Sequence, residues 1–452
     1  RGFEELKNQV ADFTPRRCAE ITWLPADEIE AAARMFATTK PACIGPGLAG
    51  GSQTPNAFHL NRALASMSAI TGNLEIPGGN PKWVPPTGEK RHCYGSDFEI
   101  LSHLPPEQAV KAIGMDTYPL FTNLMSLPEQ VWNAILQEKP YPVKAVGLFA
   151  NNAVCAYANS RHVKEALSAL DFLFCVDYFH TPTNALADVI LPPAHWTERD
   201  DVEDLLMMNH IFCQPKAIDP VPECRDEKEI LIDLAKRMSL EGFWNTVEEA
   251  LDYRLEPIGM GFNEFKKIGQ FSTPVEFKSY VRENGFKTPS GSGKVDLYSD
   301  FLESMGISPL PVYREALESP ISTPELYKTY PLILTTGGRN VVYYHSAHRN
   351  IPSLRKKSPD PQLDIHPETA ARFGVADREW IRLKTVRGQV EIRARFDADM
   401  HPAVVHAPHG YWYGVKDGWE RVNINIITDN KPWCSVSGSV PTRALLCTIE
   451  KM

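Results

Sequence analysis

Three groups of residues have types and spacings that suit the binding of a large anion. The first lies in Tyr330–Pro352, where the apolar run Pro331–Leu334 leads into Thr335, Thr336, Gly337, Gly338 and Arg339, followed by His345, His348 and Arg349. Paired glycines let the main chain approach a phosphate or a ring, and arginine supplies charge on a planar donor fork. The second is Gly45 to Ser52, with Gly45 and Gly47 leading, between a short apolar run and a helical one. A glycine-rich loop before a helix N-terminus is the general form of a phosphate cradle, although this one matches neither Walker A nor G-x-G-x-x-G. The third is Asn151, Asn152 and Asp177, each just past an apolar run. A carboxylate is a pure acceptor and suits a ribose hydroxyl or a guanine edge. Plainer readings stand beside these: a hairpin corner for 335–339, a simple connection for 45–52, and a turn acid or N-cap for Asp177.

The elements that must position these groups follow from periodicity. Residues 4–36 read as helical with a break at Thr14-Pro15, Lys40–Ile44 as a short strand, and Ala57–Thr71 as a helix carrying Leu60, Leu64, Met67 and Ile70. Between Gly72 and Met125 periodicity is lost among prolines, with turns at 78–81 and 85–88 and with Trp83 and Tyr94 among polar residues. From Lys144 the pattern becomes strand, helix, strand: 144–149, a helix through Val163–Leu167, 172–176 and 187–192. That order predicts parallel strands, whose ligands bind beyond the carboxyl ends, where Asn151, Asn152 and Asp177 fall. The acids Glu198, Asp200, Asp201, Glu203 and Asp204 read as a hydrated charged loop rather than a metal or acid–base site. An amphipathic helix follows over 226–239, then short helices and loops, a turn into a strand at 288–298, and a linker over Pro309–Pro324. Beyond Tyr330 short strands at 332–335, 380–385, 389–395 and 403–407, with a helix at Pro367–Phe373, predict a small β-barrel with crossovers.

Composition sets limits. With 452 residues, 43% hydrophobic and 23% charged, the chain can bury a substantial core, and length alone suggests about three domains. A formal net charge of −9 argues against nucleic acid as the main partner, so an anionic ligand must be held by local devices. No window approaches the ~18 apolar residues of a membrane helix. The nine cysteines include no C-x-x-C pair, which argues against a zinc ribbon or an iron–sulfur cluster within this stretch. Cys43 and Cys155 read as small buried apolar residues. A reduced, cytoplasmic setting is the simplest expectation.

Taken in order, these features resemble the dimethyl sulfoxide reductase family of molybdenum and tungsten enzymes. The residues that carry the resemblance are Gly45–Gly51 with Ala69–Asn73 and Gly78-Gly79; Asp177 with Thr181–Thr183 and Ala187–Pro192; and Thr335–Arg339 with His345–Pro352, His366-Pro367, Asn425–Asp429 and Ser437-Gly438. The resemblance implies an α/β fold: the C-terminal part of a Rossmann-like core over residues 1–325, with an irregular insertion near 73–140, then a double-psi β-barrel of the aspartate-decarboxylase type over 326–452. It also implies two molybdopterin guanine dinucleotides on molybdenum or tungsten, with a 4Fe-4S cluster and the metal's protein ligand outside this stretch. No catalytic residue and no metal ligand is therefore assigned in it. Cofactor contacts are implied for Gly45, Gly47, Asn151, Asn152, Asp177, Thr336, Gly337, Gly338, Arg339, His345, His348, Arg349, Asn425 and Asp429. Expected partners are a small-molecule substrate and an electron-transfer subunit. The implied activity is two-electron redox or oxygen-atom transfer; the alternatives are a tungsten hydratase-like lyase and a non-catalytic dinucleotide- or peptide-binding module.

Overall fold

The computed structural model describes residues 1–45, 47, 53–54, 56–81, 104–122, 125–204, 209–286, 288, 290–413, 418–431 and 434–452. Most of the Gly45–Ser52 loop, the turn at 85–88, Trp83 and Tyr94 lie outside these. The predicted N-terminal helices form as Phe3–Gln9, Pro15–Thr22 and Ala26–Thr38. Thr14 caps the second, its side chain accepting from the Arg17 amide, with Pro15 in the first turn where no amide is needed. The predicted strand at Lys40–Ile44 does not form. Its polar backbone is satisfied by side chains instead: the Ala42 amide donates to Asn73 Oδ1 at 3.0 Å, and Asn80 both accepts from the Ile44 amide and donates to the Ile44 carbonyl. Two asparagines stand in for a neighbouring strand.

The parallel sheet is as predicted. Strands β1 (Ala145–Phe149), β2 (Phe172–Val176) and β3 (Val189–Leu191) lie in the order β1-β2-β3, all parallel. Leu148, Leu173 and Cys175 pack with Val163, Ala166 and Leu167 of the Ser160–Ser168 helix in the main core. Phe172, Phe174, Val189 and Leu191 instead wall an apolar depression with Ile230 and Leu234 of the Glu227–Arg237 helix.

The acidic stretch overturns its expectation. Asp201–Asp204 is a strand, β4, paired antiparallel to β5 (His210–Gln214), which pairs in turn with β6 (Gln270–Ser272). Asp201 is held by Lys228 at 3.1 Å and Arg254 at 3.3 Å. Cations from distant segments balance the run, so it is not a hydrated loop. The strand predicted near 294–298 is absent; that segment stays in bends. The supposed linker is packed, with Leu310, Glu318 and Ser319 buried. Cys155 is buried as expected, whereas Cys43 is exposed, because the loop carrying it never joins a sheet.

The C-terminal region closes into a six-stranded barrel, β10-β8-β11-β7-β12-β9. The strands are β7 (Leu332–Gly338), β8 (Gln362–Ile365), β9 (Trp380–Thr385), β10 (Gly388–Phe396), β11 (Val404–Pro408) and β12 (Leu445–Lys451). β7–β11 and β8–β10 are parallel and the other four pairings antiparallel. Alternate residues (Leu332 and Leu334, Ile381 and Leu383, Val390 and Ile392) are fully buried, each worth ~1.5–3 kcal/mol. Two of the strands, β8 and β12, are not in the sequence reading. The turn expected at Thr335–Arg339 is also displaced: β7 continues through Gly338, because Thr335 and Thr336 pair with His406 and Ala407 of β11.

Candidate functional site

The parallel pairing of β7 and β11 creates the site. Gly338 stands opposite Pro408, so the loops leaving both strands begin side by side. One carries Arg339 to Ile351, the other His409 to Tyr413. Close approach explains the glycines here. A Cβ on Gly338 would overlap the His406 ring, and one on Gly410, where φ is +68°, would lie 2.9 Å from the His345 carbonyl carbon. Gly337 lies under the Arg443 guanidinium.

The two loops meet through a histidine pair and a buried arginine. His345 Nδ1 and His409 Nε2 are 2.8 Å apart, one ring donating to the other. Burial and the neighbouring cations push His409 down to about 4, and burial with Arg339 also lowers His345, so both rings are neutral at pH 7. Arg349 is 3% exposed and donates to the carbonyls of Gly410 at 3.0 Å, His345 at 3.1 Å and His409 at 3.1 Å. Its guanidinium lies in the corner made by the Tyr343 and Tyr411 rings, 4.2 and 3.9 Å from their centroids, the two rings standing at 84° to each other. Burial lowers its pKa to about 10, leaving it charged. Both His345 and His348 take left-handed backbone, φ 50° and 67°, at a cost of about 1 kcal/mol each.

The carboxyl end of the parallel sheet faces these loops. His348 meets Phe179, two residues past Asp177, edge to face at 6.3 Å. Asn423 and Asn425 both donate to the Cys155 carbonyl, at 3.3 and 3.0 Å, and Asn423 also donates to the Tyr411 carbonyl. Asn151 donates to Tyr157 Oη at 3.3 Å, and Asn152 Oδ1 accepts from Thr183 at 2.8 Å. Asp177 accepts from the Phe179 amide at 3.2 Å, and burial raises its pKa.

The predicted residues thus separate by environment. Arg339, His345, His348 and Asp177 lie along the facing loops with capacity to spare. Thr336 is spent on the Thr442 carbonyl, and Asn425 on the Cys155 carbonyl and Thr428. Asp429 is paired with Arg387 at 2.5 Å. Gly45 and Gly47 are exposed. Sequence reasoning assigned no site role to His409, Arg443 or Asn423. No local pattern marks Arg443, which comes close only because β12 runs beside β7.

Whether this set suits a phosphate-rich dinucleotide can be judged from atoms left without partners. Arg349 Nη1, His409 Nδ1 and Asn152 Nδ2 are buried and have none; the arginine and the asparagine can donate to a ligand oxygen, and His409 Nδ1 can when its Nε2 accepts within the histidine pair. With Arg339 exposed beside them and Asp177 offering an acceptor, the donor set fits such a group. Among the described residues no cluster of three or more His, Cys, Asp or Glu could hold a metal ion.

A barrel joined to a parallel α/β sheet, with cationic and amide donors between them, suits a nucleotide-type cofactor, and comparison names the class. The molybdopterin oxidoreductase family model matches residues 28–237, and the molydopterin dinucleotide binding domain matches residues 332–445. The chain belongs to the molybdopterin oxidoreductase family, whose cofactor is a metal-bearing molybdopterin dinucleotide. It is 34% identical to the acetylene hydratase of Syntrophotalea acetylenica, over 92% of this chain and 60% of that protein. It is 28% identical to the dopamine dehydroxylase of Eggerthella lenta, over 99% of this chain and 53% of that one. The solved acetylene hydratase from Pelobacter acetylenicus superposes with a TM-score of 0.90 at 32% identity, covering 100% of this chain and 66% of that chain. The chain therefore spans between about half and two thirds of these relatives.

Proposed function

We propose that this chain grips the dinucleotide of a molybdenum or tungsten bis-pterin enzyme that carries out two-electron redox or oxygen-atom transfer. The observation that carries the reading is the facing of two carboxyl ends, that of the parallel sheet and that of the β7–β11 pair, with unspent donors between them. In this reading residues 1–325 form a Rossmann-like α/β core and 326–452 a double-psi barrel that caps the cofactor. Asp177 accepts from a guanine edge, and Asn151, Asn152, Gly45 and Gly47 lie toward ribose and phosphate. Arg339, His348 and Arg349 Nη1 donate to pterin or diphosphate oxygens, as does the one N–H that the neutral His345–His409 pair keeps free, on one ring or the other, with Gly337 and Gly338 leaving room. Asn425 and Asp429 shape the pocket through their protein contacts. The bound metal supplies the bond chemistry, while these residues orient the cofactor and keep water out. Acid treatment of the full-length enzyme should release GMP and molybdenum or tungsten in fixed ratio. Arg339→Ala should lower both severalfold, and unchanged contents would remove Arg339 from the site.

Hydration of an alkyne by a tungsten enzyme is the second reading, favoured by the likeness to acetylene hydratase over nearly the whole chain. There the metal would act as a Lewis acid without net electron transfer. Reduction of a viologen or phenazine dye by the intact enzyme with its substrate would exclude hydration; substrate-dependent aldehyde formation without dye reduction would exclude the redox reading.

A further inference from the structure

A cavity of about 510 Å3 lies between the Ala57–Ile70 helix and the segment Pro311–Ala316. Its walls are mainly apolar, with Phe13, Leu60, Val312 and Tyr313 among them. Two of the side chains that line it each hold a buried polar atom without a partner: His59 Nδ1, on a side chain only 3% exposed, and Thr54 Oγ1. A buried ring nitrogen left unpaired costs ~1–3 kcal/mol, so folding gains nothing from leaving it open.

Arg314 and Glu315 are the charged groups in the cavity wall, and Arg62 stands behind His59. Arg62 donates to the carbonyls of Ser308 and Pro309, at 3.1 and 2.6 Å, and Arg314 to the Ser435 hydroxyl at 3.4 Å. Among the described residues neither guanidinium has a carboxylate partner. Burial and these two arginines push His59 down to about 4, so it is neutral at pH 7 and its ring can hydrogen-bond without adding charge. The one acid in the wall, Glu315, is engaged by the Tyr313 hydroxyl at 2.5 Å. An apolar cavity of this size with convergent polar groups has the form of a small-molecule site. We infer that it binds an organic monocarboxylate with a flat or branched apolar body, the body between Phe13, Leu60 and Val312 and the carboxylate toward Arg314, His59 and Thr54. None of these residues belongs to the cofactor assignment above.

Benzoate and its neutral analogue benzamide make the test, titrated calorimetrically into the full-length holoenzyme and into its Arg314→Gln variant. Arg314 is exposed, so its loss should leave the fold intact. Benzoate should bind at least ~10-fold more tightly than benzamide, and Arg314→Gln should abolish that preference while leaving benzamide unchanged. A crystal of the benzoate complex should place the carboxylate within hydrogen-bond reach of His59 or Thr54. The inference is overturned by no saturable binding up to about 10 mM, by equal affinity for the two probes, or by an unchanged preference in Arg314→Gln.

Discussion

Arg349 ties the two site loops together more directly than any other single side chain described. Its guanidinium joins three carbonyls on loops about sixty residues apart in sequence and packs into the corner of two perpendicular tyrosine rings. Arg349→Met keeps most of the volume but strands those carbonyls, and the loss should be about 2–4 kcal/mol. Chemical denaturation of wild type and variant measures it, and a change under ~0.5 kcal/mol would show that the carbonyls find other donors. The histidine pair makes a pH-dependent contribution whose sign follows from burial. His409 titrates near 4 in the folded chain against about 6.5 unfolded, so its neutral form is favoured by folding. That stability is whole above pH 6.5 and is lost as pH falls from there toward 4. The stability gap between wild type and His409→Asn should therefore shrink between pH 7 and pH 4.5, and a gap constant across that window would place the imidazole in a wetter environment than the structure shows. Sequence alone could single out Arg349 and His345 as donors in a dense run, but not that Arg349 spends most of its donors on backbone. That outcome depends on where Gly410 and His409 arrive.

The β7–β11 pair is the element that decides where the loops start. Their parallel register places Gly338 beside Pro408, with a shift between Ala407 and Pro408 that turns the end of β11. Gly338→Ala would push a methyl into the His406 ring and should cost about 1–3 kcal/mol. The double variant Gly338→Ala/His406→Ala should recover most of it if the ring is the obstacle, as two urea melts would show; no recovery would mean that the glycine is needed for backbone conformation. At this scale legibility was uneven for a physical reason. β9 and β10 alternate apolar and polar residues, join through the tight Val386-Arg387 turn, and can be read locally. β8 is four residues between two prolines, and β12 finds its partners more than sixty residues back, so neither carries a short-range signal. At Lys40–Ile44 the reverse holds: an apolar run reads as a strand, yet Asn73 and Asn80 take its hydrogen bonds.

Across the whole molecule, the −9 charge and the cationic site are reconciled by segregation: Asp201, outside the cleft, is held by Lys228 and Arg254 from distant segments, while Arg339 and Arg443 stand near the loops. The parallel sheet and the family relationship were legible because strand order, glycines and Asp177 follow one another along the chain. The joints between units were not, since they are made by residues with no sequence neighbourhood in common. The clearest joint is Arg387, whose guanidinium pairs with Asp429 at 2.5 Å and with Glu318, while Glu318 Oε2 accepts from the Leu446 amide at 3.1 Å. One arginine on the β9–β10 turn thereby fastens the 309–324 segment, the barrel and the Asn425–Asp429 run that touches the α/β sheet. Glu318 is 9% exposed, so removing the cation leaves a buried carboxylate uncompensated. Arg387→Met should cost about 3 kcal/mol or more. The triple variant Arg387→Met/Glu318→Gln/Asp429→Asn removes all three charges and keeps an acceptor for Leu446, so it should lie much nearer wild type. The ordering is the test: if the single and triple variants melt together in urea, loss of a hydrogen bond rather than a stranded charge sets the cost, and the triad is no electrostatic joint.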